Sequence, residues 1–543
     1  MKKRLLAISI LVISLNEVLA QGCQTDFVLS PVTGTNAIEW DKFPEFNLPF
    51  TIIYNGPRFG DTQSAPLKHG FSHIAYFSGP ESTLPVKNRA LLWNSVASID
   101  GSGQPWSEVG LQSPWGNDAD LYRNHWANYL RGLANIFDDS RGQAVPRADI
   151  ICLDVERMQR EDRDILRLKT DPRIPENYRQ LSDAEFLSTY KRDIRARYTE
   201  AIQYYESLNP DPNTKLSSYS DVPVRGTWLN VTANSWPDWT TNPARTHYLM
   251  QNDAGRVGGS FYEKMDFLTP SPYYFYEYNN PLGKDYLSYL LFQIEVNRAW
   301  SNKPQVPFVW MRYHDSFNPG APQIPSFVAE ATAIFPFMAG AKGLWLWENN
   351  MFENTRQENY AAYEHFIYGL YRLSRFADMF EGDYQLVAPR SARDDMEQRT
   401  PIWRGVVKGN QILVAAQNPF ATENQDTPLR VTHAGWSREL VLKGREVFLC
   451  RFDLGESPLS EVLVVPNPTQ SAIEVLLSGL IDRTEVEYTL WNVAGIQLQR
   501  ETFLFDKDQI NYPFDLPVLP AGMYIVKLTQ GSQSISRKLI VNP

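Results

Sequence analysis

The stretch Asp149-Ile150-Ile151-Cys152-Leu153-Asp154-Val155-Glu156-Arg157 carries the acids best placed for chemistry. Its apolar centre reads as a buried strand, and Asp154 and Glu156, two positions apart, then project from the same face. A buried run ending in two acids is costly unless both look into a polar cavity. When both are charged each raises the pKa of the other, and a glutamic acid still protonated near neutrality is a usable general acid. The competing reading is structural, with Arg157 or another cation simply paired to these acids.

Gly343-Leu344-Trp345-Leu346-Trp347-Glu348-Asn349-Asn350 offers a further acid at the end of another strand. If the strands of Glu156 and Glu348 form opposite walls, one carboxylate can act as nucleophile and the other as acid/base, about 5–5.5 Å apart. A cation as close as Arg157 would exchange those roles by holding Glu156 ionised. Trp347 is a candidate aromatic platform at the strand end, whereas Trp345 reads as core. In Val309-Trp310-Met311-Arg312-Tyr313-His314-Asp315, alternation puts Trp310, Arg312 and His314 on one face and Tyr313 and Asp315 on the other. His314 either orients a carboxylate or is a satisfied structural histidine. The run Pro272-Tyr273-Tyr274-Phe275-Tyr276-Glu277-Tyr278 either lines a cleft or packs as a loop.

Between Phe46 and about Met379, strand-like and helix-like segments alternate, as in βα units around a parallel sheet. The strand candidates are Phe50–Tyr54, Phe71–Phe77, Ala90–Ala97, Asp149–Glu156, Leu216–Ser220, Met265–Tyr273, Val306–His314 and Gly343–Glu348. Ser182-Asp183-Ala184-Glu185 is a capping box, followed by an apolar face of Phe186, Tyr190, Ile194, Tyr198, Ile202 and Tyr205 that stops at Asn209-Pro210. Further helices are predicted over Tyr286–Trp300 and from Ser326 onwards. The expected fold class is α/β, a (β/α)8 TIM-like barrel over residues 21–382. An open doubly wound sheet is the alternative, but no G-x-G-x-x-G turn follows an early strand.

From about Asp383 to Leu459 the helical pattern stops, which predicts a small antiparallel β-domain over 383–460. One hairpin is expected over Ile402–Ala416, turning at Gly409-Asn410, and another from Glu439–Leu442 to Glu446–Leu449 around Lys443-Gly444-Arg445. In a barrel, functional side chains come from the C-terminal strand ends. This nominates Asp154, Glu156 and Glu348 as catalytic, and Tyr76, Asn94, Tyr219, Asp221, Tyr273, Trp310, Arg312, His314 and Trp347 as substrate-binding. Acids transfer protons, amides and hydroxyls read sugar hydroxyls, and rings stack.

The segment 149–156 resembles the fourth-strand D-x-x-D-x-D-x-E motif of glycoside hydrolase family 18, with Asp149, Asp154 and Glu156 on the first, third and fourth acidic places and Cys152 on the second. The resemblance implies a polysaccharide-cleaving barrel in which Glu156 is the acid and Asp154 steers a substrate acetamido group. Cys152 breaks the acidic ladder of that motif, so the two-carboxylate route through Glu348 stays open beside it.

Charge and cysteine content exclude several classes. The balance of 52 basic and 62 acidic residues, a net −10, is no footprint for general nucleic-acid binding. Three cysteines, at 23, 152 and 450, are too few and scattered for a disulfide framework or zinc site. His69 and His73 have H-x-x-x-H spacing, but Gly70 and the strand that follows argue against a helix, so no metal or other cofactor is expected.

The two ends carry sorting information. Lys2-Lys3-Arg4, an apolar run from Leu5 to Leu15 and Val18-Leu19-Ala20 have a signal-peptide layout over residues 1–20. No later run reaches the roughly 18 apolar residues of a membrane span. At the other end come Val464-Val465-Pro466-Asn467-Pro468, Leu490-Trp491-Asn492-Val493-Ala494-Gly495, Leu519-Pro520-Ala521-Gly522-Met523-Tyr524-Ile525-Val526-Lys527-Leu528 and Arg537-Lys538-Leu539-Ile540-Val541. Read alone, these are short strands between turns, a β-sandwich over 461–543. They resemble the type A C-terminal sorting domain of the type IX secretion system, which implies recognition by that machinery, cleavage of the domain, and a secreted or surface-attached product. The expected function is a secreted glycoside hydrolase-like enzyme acting on an extracellular polysaccharide. The alternatives are a non-catalytic carbohydrate-binding or adhesin-like surface protein, which needs the aromatics but no acid pair, and an exported barrel hydrolase for another bond.

Overall fold

A computed structural model of the chain describes residues 23, 27–32, 37–57, 64–75, 83–93, 114–115, 119–154, 161–172, 174–209, 211–349, 358–454, 461–478, 485–506, 509, 511–530 and 533–542. The signal-peptide range 1–20 and the site candidates Tyr76, Asn94 and Glu156 lie outside the described residues. Two compact units divide the chain: Met1–Val406 with Val414–Ala421 and Arg445–Cys450, and Val407–Leu413 with Thr422–Gly444 and Arg451–Pro543.

The first unit is mixed α/β with parallel strands. They are β1 (Thr51–Asn55), β2 (His73–Ile74), β3 (Ala90–Trp93), β4 (Ile150–Leu153), β5 (Lys215–Ser218), β6 (Phe308–Trp310) and β7 (Gly343–Trp347). They form two sheets, ordered β2-β1-β7-β6 and β3-β4-β5. Gly343 lets β7 lie close against β1, since a Cβ there would sit 2.1 Å from the Thr51 carbonyl oxygen. Met265–Tyr273 forms no ladder; it joins its neighbours through single parallel bridges, Tyr219 to Thr269 and Leu268 to Gln305, and another such bridge links Ile74 to Arg89.

Alternation along these strands sorts side chains into two cores. Leu91, Trp93, Ile151, Leu153 and Leu216 pack into one cluster with Phe186, Tyr190, Ile194, Tyr198, Ile202 and Tyr205 of the helix Asp183–Leu208. Ile53, Ala90, Ile150, Cys152, Phe308, Trp310 and Trp345 meet in the other. The long helix begins at the anticipated capping box. The Ser182 hydroxyl accepts from the Glu185 N–H at 3.3 Å, and the Glu185 carboxylate accepts from the Ser182 N–H at 3.1 Å. The helices Tyr286–Trp300 and Ser326–Met338 also start where anticipated, and both are buried on nearly every face. Glu295 can be buried because Arg404 donates to it at 2.6 Å, while Arg404 also pairs with buried Asp395 at 2.9 Å.

Two expectations are corrected. Cys23 and Cys450 form a disulfide despite their scatter, because folding brings together residues 427 apart in sequence. The expected hairpin around Lys443-Gly444-Arg445 does not form. With β8 (Gln385–Val387), β9 (Ile402–Lys408), β10 (Gln411–Gln417), β11 (Asp426–His433), β12 (Trp436–Lys443) and β13 (Phe448–Asp453), β12 pairs with β11 and β13 lies beside β10. The tight turn is at Ala434 and Gly435, both at positive φ, as a two-residue hairpin requires, while the Gly444 N–H donates to Gln425 at 2.8 Å. Asp149 sits at the foot of β4, held by His73 Nε2 at 2.9 Å with Lys215 at 3.8 Å. His69 is engaged elsewhere, its ring nitrogens at 2.6 Å from the Ala65 carbonyl and 3.3 Å from that of Phe43.

In the second unit, β14 (Glu461–Val465), β15 (Ala472–Ser478) and β18 (Asn511–Asp515) form one antiparallel sheet. Strands β16 (Glu485–Asn492), β17 (Gln497–Leu504), β19 (Gly522–Gln530) and β20 (Gln533–Val541) form another, ordered β17-β16-β19-β20. Every second residue points inward, so Val475, Tyr488, Leu490, Phe514, Val526, Leu528 and Leu539 share one core. The Tyr488 and Phe514 rings stack across it at 4.0 Å. Among the described residues no helix is long and apolar enough to cross a membrane.

Candidate active site

A cavity of about 270 Å³ opens at the C-terminal ends of the parallel strands, lined by Leu92, Asp154, Tyr219, Tyr273, Phe308, Trp310, His314, Asp315 and Trp347. Strand parity explains the set. Ile150 and Cys152 face the inner cluster, so Asp154 continues on their side, and Phe308 with Trp310 does the same on β6. The rings form a continuous wall. Trp310 meets Trp347 edge-on at 4.7 Å, Tyr273 stacks with Trp347 at 5.9 Å, and Tyr219 meets Phe308 edge-on at 4.8 Å. Trp345 is core, stacked on Phe308 at 4.6 Å.

Asp154 is the acid at the cavity's β4 wall, its N–H donating to the Trp93 carbonyl at 2.9 Å. Beneath it the buried Cys152 thiol is pushed well up by burial and by the charges of Asp154 and Asp221, which disfavours the reactive thiolate. His314 is held below the ordinary histidine value by burial, which Asp315 partly opposes. Its Nδ1 lies 3.2 Å from the Ser316 backbone nitrogen and 3.3 Å from Asp315 Oδ1. Burial also raises the Asp221 carboxyl, against the field of Arg225 and a hydrogen bond from Ser218 at 2.6 Å; Asp221 does not line the cavity.

Glu348 is buried beside the wall and is not among the cavity's lining residues. Its Oε1 accepts from the Trp310 indole at 2.9 Å and the Asn349 N–H at 2.7 Å. Its Oε2 accepts from Arg312 Nε at 2.7 Å and from the Tyr363 hydroxyl. Arg312, fully buried, also donates to Glu358 at 2.6 Å and to the Ala321 carbonyl at 3.2 Å. The expected grouping of Asp315 opposite His314 is overturned: both line the cavity, because β6 ends at Trp310 and its alternation stops there. Leu92 and Phe308 were not nominated; Phe308 shares the parity of Trp310 and is found by extending that face toward the strand's start. Of the run 272–278, Tyr273 reaches the cavity, while the Tyr274 hydroxyl is buried 2.6 Å from Thr332 Oγ1. Among the described residues no group of three or more His, Cys, Asp or Glu could hold a metal ion.

Residues 463–542 match the family model for the secretion system C-terminal sorting domain. That domain marks type IX secretion, engages its machinery, and gives the protein a secreted or cell-surface location. No curated protein sequence matches the chain. Among solved structures, bee venom hyaluronidase is similar at 14% identity over 60% of this chain and 99% of that one, with a TM-score of 0.37. The endo-β-1,4-mannanase of Thermotoga petrophila is similar at 12% identity over 89% and 90%, with a TM-score of 0.27. A glucosidase from Croceicoccus marinus is similar at 11% identity over 93% and 98%, with a TM-score of 0.26.

Proposed function

We propose that the exported chain is a glycoside hydrolase-like enzyme that cleaves an extracellular polysaccharide by carboxylate acid/base chemistry. The observation that carries this reading is one cavity in which the carboxylate of Asp154 faces a wall of Tyr219, Tyr273, Trp310 and Trp347. Aromatic faces bind sugar rings, and a carboxylate among them has proton transfer or substrate positioning as its chemistry. Glu156 follows Asp154 by two residues, so continued extension would set it on the same side, as the general acid beside a positioning Asp154. The alternative second carboxylate, Glu348, has its oxygens occupied by Trp310, Asn349, Arg312 and Tyr363, which favours a positioning role for it. A closed (β/α)8 barrel over 21–382, ahead of a β-domain over 383–460, is part of the same proposal. Its support is the set of bridges from Ile74 to Arg89, Tyr219 to Thr269 and Leu268 to Gln305, which join the two parallel sheets at both edges.

The test is reducing-sugar release from a panel of polysaccharides, including chitin and β-glucans, with Asp154→Asn and Glu156→Gln beside the wild type. Loss of a group that transfers or steers a proton lowers the rate about 10²–10⁴-fold while glycan binding survives. Equal cleavage by the variants would remove these acids from the mechanism. A wild type that binds a glycan and releases nothing from any polymer would instead be a carbohydrate-binding surface protein.

A further inference from the structure

Beside the aromatic cavity lies a larger one of about 960 Å³, whose lining includes Ser220, Arg225, His247, Ser271, Phe275 and Tyr289. The two share a border: Ser220 follows Tyr219, Ser271 precedes Tyr273 by two residues, and Phe275 stacks at 5.0 Å on His314. At that border Ser220 holds a φ of 59°, a left-handed conformation unusual for serine. Its N–H donates to Thr269 at 3.1 Å, and its hydroxyl lies 2.9 Å from that of Ser271. Such strain persists where the surrounding structure enforces it, commonly at ligand clamps.

This second cavity carries charges of both signs. Two of its cations are offset, Lys191 by Asp162 at 2.6 Å and Arg245 by Asp238 at 2.6 Å, and Glu161 adds a negative charge. Arg225 donates through Nε to the Ser220 carbonyl at 3.3 Å, acts on buried Asp221 through its field and, among the described residues, makes no salt bridge with a carboxylate. His247 Nδ1 accepts from the Leu249 N–H at 3.2 Å, so the proton of the neutral ring sits on Nε2. Among the described residues neither His247 Nε2 nor the Tyr289 hydroxyl has a hydrogen-bond partner. Burial keeps Tyr289 protonated and therefore a donor. Buried donors without acceptors are costly in a folded chain, and an acceptor carried by a ligand would satisfy them.

We propose that this cavity is a subsite for a carboxylate-bearing sugar unit of an acidic polysaccharide, with Arg225 taking the carboxylate and Tyr289 and His247 donating to its oxygens. This rests on the glycosidase-like reading and narrows its substrate class. The experiment is binding of the full-length exported protein to alginate, polygalacturonate and hyaluronan, each against its carboxyl-reduced form, with dextran sulfate beside neutral dextran. Wild type should bind at least one carboxylated polymer about ten- to a hundredfold more tightly than its reduced form, the range expected of a charge-assisted contact. Arg225→Gln should erase that preference and Arg225→Lys restore part of it. Tyr289→Phe, which removes only a hydroxyl, should weaken it with the unfolding midpoint unchanged. Equal binding to acidic and reduced polymers, an intact preference in Arg225→Gln, or a preference for sulfate alone would overturn the subsite. If neutral polymers are still cleaved in an Asp154-dependent way, the inference falls and the glycosidase-like reading stands. If no polymer is bound or cleaved, both fall.

Discussion

The indole N–H of Trp310 donates to Glu348 Oε1 at 2.9 Å, tying the edge of the aromatic wall to a buried carboxylate on the adjacent strand end. Arg312 balances that carboxylate at 2.7 Å with no solvent exposure of its own side chain. The expected behaviour of Glu348 is therefore that of a clamp. Glu348→Ala would leave Arg312 buried and half-paired, destabilising the fold by about 3–5 kcal/mol. Denaturant unfolding of Glu348→Ala and Glu348→Gln measures this. Wild-type stability in the alanine variant, with turnover restored by azide, would return Glu348 to the role of nucleophile.

His247 predicts an acid-side loss of stability. Burial, with Arg225 and Lys191 nearby, holds its pKa well below the ordinary 6.5, and Glu161 and Asp162 across the same cavity act in the opposite sense. As pH falls below about 6.5 the unfolded chain takes up this proton before the folded one, so stability declines from there down to the folded pKa. His247→Gln should flatten the fall in thermal midpoint between pH 7 and 5. An unchanged slope would show that other groups govern it.

The Cys23–Cys450 bridge closes most of the chain into one loop. Restricting the unfolded state in this way is worth about 2–5 kcal/mol. Reductant, or Cys450→Ser, should lower the unfolding midpoint of the first unit. A midpoint unmoved by reductant would mean that the bridge contributes nothing.

Removal of residues 463–542 should abolish release or surface display while the remainder stays folded, because the β-sandwich has its own core. Fractionation of cells expressing the truncated chain is the measurement, and normal amounts in the medium would contradict it.

Local pattern was enough for much of this architecture. The capping box at Ser182 and Glu185, the buried helix Tyr286–Trp300 and the turn at Gly409 depend on residues a few positions apart. The sorting domain was legible because its strands and turns recur in a set order at one end. Position at the strand ends put Asp154, Tyr219, Tyr273, Trp310, His314 and Trp347 forward, and these line one cavity, whereas Arg312, put forward with them, does not.

Alternation holds only while the strand does, however, and β6 stops at Trp310. Beyond it, Arg312 turns to Glu348 and Glu358 while His314 and Asp315 both reach the cavity, a division that depends on partners 36 and 46 residues away. The pairing of β13 with β10 instead of β12 and the joining of Cys23 to Cys450 are long-range in the same sense. The second cavity is the extreme case. Arg225, His247 and Tyr289 share no motif, and only packing of the segments after β5 against the helix Tyr286–Trp300 brings them to one cavity. Sequence by itself determined the capped and strongly periodic elements, because propensity, capping and periodicity act over a few residues. Tertiary structure decided which acids meet cavities and which meet arginines, because hydrogen-bond partners and burial are set by contacts between distant segments.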